Sequence, residues 1–236
     1  MNRPIPGRIP VMLALMCSIG CQGELTKGKL YMRDGQDEEA LDYLEQARTK
    51  RPDDPEVPFL IGTIHARRGD YLQMNQAFER SLALGDDHSL GVDRVKTDYF
   101  TNEYNRGVTI LQGATADYAV AIGAFTAATI IDPEQAAGWR NLGYAYFKLD
   151  SLSAAATAYE AAARADAGNP TSWFDLGTAQ LANQDYAKAA TSLRAPAGIG
   201  PATPRRVAQP RPGTRGKRRS ASCHRRLWSI AEGDTG

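Results

Sequence analysis

Three histidines, three cysteines and a run of arginines are the residues whose types could do chemistry here, and their spacing decides what chemistry. A structural zinc site needs about four Cys or His ligands at defined spacing. His65, His88 and His224 are scattered, and Cys223 and His224 are adjacent with no second pair near them. Three cysteines cannot close a disulfide framework. A phosphate loop needs glycines at fixed spacing leading into a helix. G-I-G-P-A-T at 198–203 puts a proline where that helix would start, and G-T-R-G-K at 213–217 lacks the spacing. No serine stands in a G-x-S-x-G elbow. The reading is therefore no catalytic residue, no metal and no cofactor, with His65 and His88 as packing or spacer residues.

The arginines are informative through where they sit. The net charge of +1 averages two unlike parts: residues 195–236 carry nine Lys and Arg against Glu232 and Asp234, leaving nineteen basic and twenty-five acidic residues upstream. The stretch R-R-V-A-Q-P-R-P-G-T-R-G-K-R-R could neutralise phosphates, but without interleaved aromatics it would do so unspecifically. Proline, glycine and arginine at this density cannot bury a core, so 197–236 is predicted to be a disordered, low-complexity basic tail. The break after Arg194 reads either as a genuine tail or as a change of reading frame. A solvated tail with no ligand, or one that arises from a change of frame, is the first expectation; anionic lipid ranks next and nucleic acid, not an expected partner, last.

At the other end, MNRPIPGRIPVMLALMCSIGCQGE has Arg3 and Arg8, an apolar run from Ile9 to about Ile19, then small residues before Cys21. The run is shorter than the ~20 residues of a spanning helix and has the layout of a secretory signal peptide, here 1–20. S-I-G-C at 18–21 resembles a bacterial lipoprotein lipobox, with Ser18 where leucine is usual. The resemblance implies lipidation on Cys21 and, with Gln22 following, sorting to the outer membrane. Ser18, Ile19 and Gly20 equally suit an ordinary signal peptidase that releases a soluble protein, and a cytosolic apolar helix is the remaining alternative.

Between these ends the chain repeats. GWRNLGYAYFKLDSLSAAATAYEAAARADAGNP aligns with TSWFDLGTAQLANQDYAKAATSLRAP, placing Trp139 on Trp173, Leu142 on Leu176, Gly143 on Gly177 and Ala155 on Ala189, an offset of 34 residues. Gly28 and Gly62, and Gly35 and Gly69, stand at the same offset. A period near 34 is the signature of stacked helical hairpins. The recurring residues resemble the tetratricopeptide repeat pattern W-x2-L-G-x2-Y, then Ala, aromatic, Ala and Pro. Trp139, Leu142, Gly143, Tyr146, Ala155, Tyr159 and Ala162 carry it nearly complete, and Gly28, Tyr31, Ala40, Leu44, Ala47 and Pro52 carry it in the first repeat. Ile61, Gly62, Gly69 and Phe78 mark the second, while Gly107, Leu111, Ala121, Phe125, Ala128 and Pro133 mark a third with a short insertion around Thr115.

The expected fold is all-α: an α-α superhelical solenoid of about five such hairpins. Repeats 1–2 occupy 21–88, an irregular connector 89–103 that is either a longer loop or an extended helix, and repeats 3–5 occupy 104–196 with the fifth incomplete. Glycine in mid-helix costs roughly 1 kcal/mol against alanine, so Gly143 is expected to return more than that by letting the second helix come close.

The resemblance implies ligand contacts from the first helix of each hairpin. Carried over, these are Lys29, Arg33, Thr63, Arg67, Arg140, Tyr144, Lys148 and Thr178. They would suit an extended acidic or C-terminal peptide, although Thr63 and Thr178 replace the asparagines that clamp terminal carboxylates in some members. The functional expectation is a non-enzymatic interaction scaffold. It would be exported to the cell envelope, outer membrane or periplasm, anchored by lipid on Cys21, and would hold peptide segments or subunits of an envelope assembly. The alternative is a soluble secreted or periplasmic module whose basic tail contacts anionic polymer, lipid or nucleic acid.

Overall fold

Helix-forming runs broken by Gly, Pro, Asp and Asn give ten helices among the residues that the computed structural model describes, 23–194. Cys17, Cys21, Cys223, His224 and the rest of the signal-like segment and basic tail lie outside the described residues. In chain order the helices are α1 (23–33), α2 (Asp37–Lys50), α3 (Glu56–Arg68), α4 (Tyr71–Leu84), α5 (Ser89–Gln112), α6 (Tyr118–Ile131), α7 (Ala136–Lys148), α8 (Leu152–Ala165), α9 (Pro170–Ala182) and α10 (Tyr186–Arg194). They pair as five hairpins, α1/α2 to α9/α10, and successive hairpins pack in order: α2 on α3, α6 on α7, α8 on α9. The array is the expected α-helical solenoid.

Local chemistry sets the ends. Asn169 caps α9 by accepting from the Thr171 N–H at 3.0 Å, with Pro170 supplying the first helical residue. Asp117 caps α6 by accepting from the Val120 N–H at 3.0 Å. Gly35 and Gly69, at φ +76° and +78°, make left-handed turns between the helices of the first two hairpins. The last two hairpins turn on Asp150 and Gln184 at φ 57° and 64° instead, a conformation that costs a side chain about 1 kcal/mol or more. The first-helix tryptophans tie down the preceding loops in the same way: Trp139 donates to the Pro133 carbonyl at 2.9 Å and Trp173 to that of Ala167 at 3.0 Å.

Each hairpin closes where a first-helix glycine meets a bulky second-helix side chain. Gly28 faces Leu44, Gly62 faces Phe78, Gly143 faces Tyr159 and Gly177 faces Leu193, each pair sixteen residues apart. Gly107 meets Phe125 eighteen residues on, because the turn between α5 and α6 is longer and contains Thr115, as the sequence suggested. Leu44 and Phe125 are fully buried, and Phe78 and Tyr159 are 2% and 7% exposed. Burying a side chain of this size stabilises by roughly 1.5–3 kcal/mol, which outweighs the ~1 kcal/mol propensity loss at the glycine.

Segment 89–103, expected as a connector, is helical throughout. α5 has 24 residues where α3, α7 and α9 have 13 each, so it begins eleven residues early. Eleven residues make about three turns, and because they are added at the N-terminal end they leave Gly107 facing α6. The added turns pack on the second hairpin: Val92 is buried with Met74, Phe78 and Ile131. His88 stacks on Phe59 with ring centroids 4.8 Å apart, and a Cβ at Gly91 would lie 2.9 Å from Phe59 Cζ. Tyr71 meets Tyr99 edge-on at 6.2 Å and donates to Glu103 at 2.9 Å. The Asn75 amide spans from α4 to the Ile130 carbonyl of α6 at 2.5 Å.

Candidate interaction groove

The first helices α1, α3, α7 and α9 position the sequence-predicted residues, and their environments differ sharply. On α1, Lys29 pairs with Glu56 of α3 at 2.7 Å and Arg33 with its neighbour Asp34 at 3.1 Å. On α3, Thr63 donates back to the Phe59 carbonyl at 2.9 Å, the usual helical alternative for a threonine hydroxyl. Arg67 forms an ion pair with Asp37 and donates to the Met32 carbonyl at 3.0 Å, fastening the second hairpin to the turn of the first. On α9, Thr178 donates back to the Phe174 carbonyl at 2.9 Å.

The α7 row is arranged differently. Arg140, Tyr144 and Lys148 lie at i, i+4 and i+8, on one side of the helix. Arg140 pairs with Asp175 of α9 at 3.4 Å. Tyr144 is 40% exposed and meets Tyr118 edge-on, with ring centroids 6.2 Å apart. The Lys148 ammonium lies 5.3 Å from the Tyr144 ring centroid, within cation–π range, and has no carboxylate partner among the described residues. One helix further, Phe174 is 62% exposed and adjoins Asp175. Behind this surface burial pushes the Tyr159 hydroxyl up to about 12, with the nearby Asp175 charge adding to the effect, so it stays protonated.

The eight predicted residues therefore do not form one uniform surface. Arg67 and Lys29 join helices to one another, the two threonines are satisfied by their own helix, and Tyr144 with Lys148 keeps both an aromatic face and a cation outward. Phe174 was missed, although the 34-residue offset applied to Arg140 lands on it. The acidic partners Asp37, Glu56 and Asp175 were missed because nothing local in the sequence pairs them across hairpins.

Other chemistry is sparse. Among the described residues no group of three His, Cys, Asp or Glu could hold a metal ion, and no helix is long and apolar enough to cross a membrane. His65 sits 3.4 Å from Asp70 at the α3–α4 turn, half-buried.

Comparison with known proteins agrees with this architecture. The tetratricopeptide repeat family matches residues 25–88, 111–170 and 152–202, and the chain belongs to that family. The unmatched stretch between the first two matches lies within α5, the lengthened helix. No curated protein matches the chain. Among solved structures it is similar to MamA (residues 41 to end) from Desulfovibrio magneticus RS-1, at 23% identity over 73% of this chain and 90% of that one, with a TM-score of 0.32. It is also similar to the TPR2AB domain of yeast Sti1 in complex with pHSP90, at 16% identity over 74% and 88% with a TM-score of 0.37. A third likeness is YrrB, a TPR protein described as having an unusual peptide-binding site, at 15% identity over 72% and 80% with a TM-score of 0.35.

Proposed function

We propose that the chain is a non-enzymatic scaffold that is exported and anchored by lipid on Cys21. Its array of hairpins holds a peptide segment or a subunit of a cell-envelope assembly against the first-helix face. The observation that carries the binding half of this reading is the outward Tyr144 with Lys148, set on hairpins whose glycine contacts and buried aromatics fix the backbone beneath them. A surface held in advance loses little ordering entropy when a ligand lies on it. The anchoring half is supported by the basic, apolar and small-residue order before S-I-G-C. Two or more acyl chains would be needed for stable attachment, since a single chain holds only marginally.

Two experiments test the halves separately. Radiolabelled fatty acid should enter the protein and not the Cys21→Ser variant, which should leave the membrane fraction. Equal fractionation of both forms rejects the anchor. A photo-crosslinker placed at position 144 should trap one discrete envelope protein in intact cells, whereas a crosslinker at exposed Glu79 on the second helix α4 should not. Identical products at both positions reject the groove.

A further inference from the structure

Resting on the groove reading above, we infer that its working part is the α7–α9 stretch. Its ligand is an extended peptide segment that sets an aspartate or glutamate carboxylate beside a large apolar side chain. Charge decides the first half of this specificity. Lys29, Arg33, Arg67 and Arg140 all have carboxylate partners, so bringing a ligand carboxylate to any of them would mean competing with an ion pair already made. Among the described residues the Lys148 ammonium has the Tyr144 ring and no carboxylate, a contact that a ligand carboxylate can join without displacing a negative charge.

Shape decides the second half. Tyr144 at 40% and Phe174 at 62% are large aromatic side chains left open on neighbouring first helices, bridged below by Arg140 and Asp175. Leu181, 45% exposed, continues the apolar surface on α9 two turns beyond Phe174. A cation beside one aromatic face, with Phe174 and Leu181 exposed on the next first helix, selects a segment with both an apolar side chain and a negative charge over one carrying either alone. Asp175, next to Phe174, is paired with Arg140, which reduces its repulsion of a ligand carboxylate.

The probe is a fluorescein-labelled, end-capped octapeptide of alternating Asp and Phe, compared with an Asn/Phe peptide lacking the carboxylates and an Asp/Ser peptide lacking the apolar groups. Anisotropy with the full chain should show the Asp/Phe peptide binding at least several-fold more tightly than either control, with affinity falling as salt rises. Lys148→Gln should weaken the Asp/Phe peptide about three- to fivefold, the size of an exposed ion pair, and remove its advantage over the Asn/Phe peptide. Phe174→Ser should weaken both Phe-containing peptides equally. Circular dichroism of each variant checks that the array is intact. No binding of the Asp/Phe peptide, or a Lys148→Gln variant that still prefers Asp over Asn, overturns the inference. Failure of these peptides while the position-144 crosslink still traps a protein would leave the groove standing and sink only this ligand class.

Discussion

Gly143 and Tyr159 touch as backbone and ring: a Cβ at Gly143 would lie 2.8 Å from Tyr159 Cδ1 and 2.9 Å from Cε1. The tyrosine is 7% exposed and covered by the next hairpin, in a cluster with Ala155, Trp173 and Leu176. It cannot yield without disturbing α9. The last hairpin makes the same contact between Gly177 and Leu193, at 2.6 Å, yet Leu193 is 45% exposed and has room to swing away.

Two alanine substitutions separate these cases. On propensity alone each should gain about 1 kcal/mol. Gly143→Ala should instead lose roughly 1–3 kcal/mol, the usual cost of forcing volume into a packed core, while Gly177→Ala should change stability by less than about 1 kcal/mol. Urea unfolding reads both. Equal effects would mean that coverage by the following hairpin does not fix the tyrosine.

Arg67 was a ligand candidate by position, and its contacts give it a different task. Its guanidinium reaches across hairpins to Asp37 and the Met32 carbonyl, with both side chains of the ion pair about one-third exposed or less. A double-mutant cycle of Arg67→Ala and Asp37→Ala should return a coupling near 1 kcal/mol, above the median for exposed pairs. Lys148→Ala, which loses an ammonium that among the described residues meets the Tyr144 ring of its own helix and no carboxylate, should leave the unfolding midpoint almost unmoved. A Lys148 loss equal to that of Arg67 would make it a structural residue and weaken the groove reading.

Alkaline titration tests the buried phenols. Tyr71 and Tyr159 are both pushed up to about 12, each chiefly by burial, with Glu103 accepting from Tyr71 and Asp175 near Tyr159. A phenol that holds its proton more tightly when folded contributes stability that is fully present below pH ~10 and is lost as pH rises towards 12. The folded form binds more protons in that window, so stability must fall with pH across it. Thermal unfolding at intervals from pH 9 to 12 should show that fall. In Tyr71→Phe and Tyr159→Phe the slope should be shallower, although lysines titrate in the same range in every form. Unchanged slopes in both variants would show that these hydroxyls ionise as freely folded as unfolded.

Legibility along the chain follows the range of the forces involved. The 34-residue offset between Gly143 and Gly177 made the hairpins readable, because packing at that glycine recurs in every repeat and leaves a mark at fixed spacing. Ion pairs such as Lys29 with Glu56 and Arg140 with Asp175 leave none, since long charged side chains meet wherever two hairpins bring them within reach. α5 lies between these extremes. The offset fails there, yet Val92, Val95 and Tyr99 recur three and four residues apart and all pack into the second hairpin's cluster. That helical spacing is local, so it marks the helix where the 34-residue period does not.

The lengthened helix yields the last prediction. If its first three turns are part of the core, Val92, 2% exposed among Met74, Phe78 and Ile131, should behave as a core residue. Val92→Ala removes two buried methyl groups and should cost roughly 1–3 kcal/mol. Leu90, two residues earlier on the same helix, is 83% exposed, and Leu90→Ser should lie within about 0.5 kcal/mol of the parent. Hydrogen exchange gives an independent check: amides around Val92 should be protected to a degree comparable with those around Phe78, because the same cluster must open to release either. Fast exchange at residues 92–99 beside slow exchange at 74–81 would mean that the added turns ride on the array without being built into it.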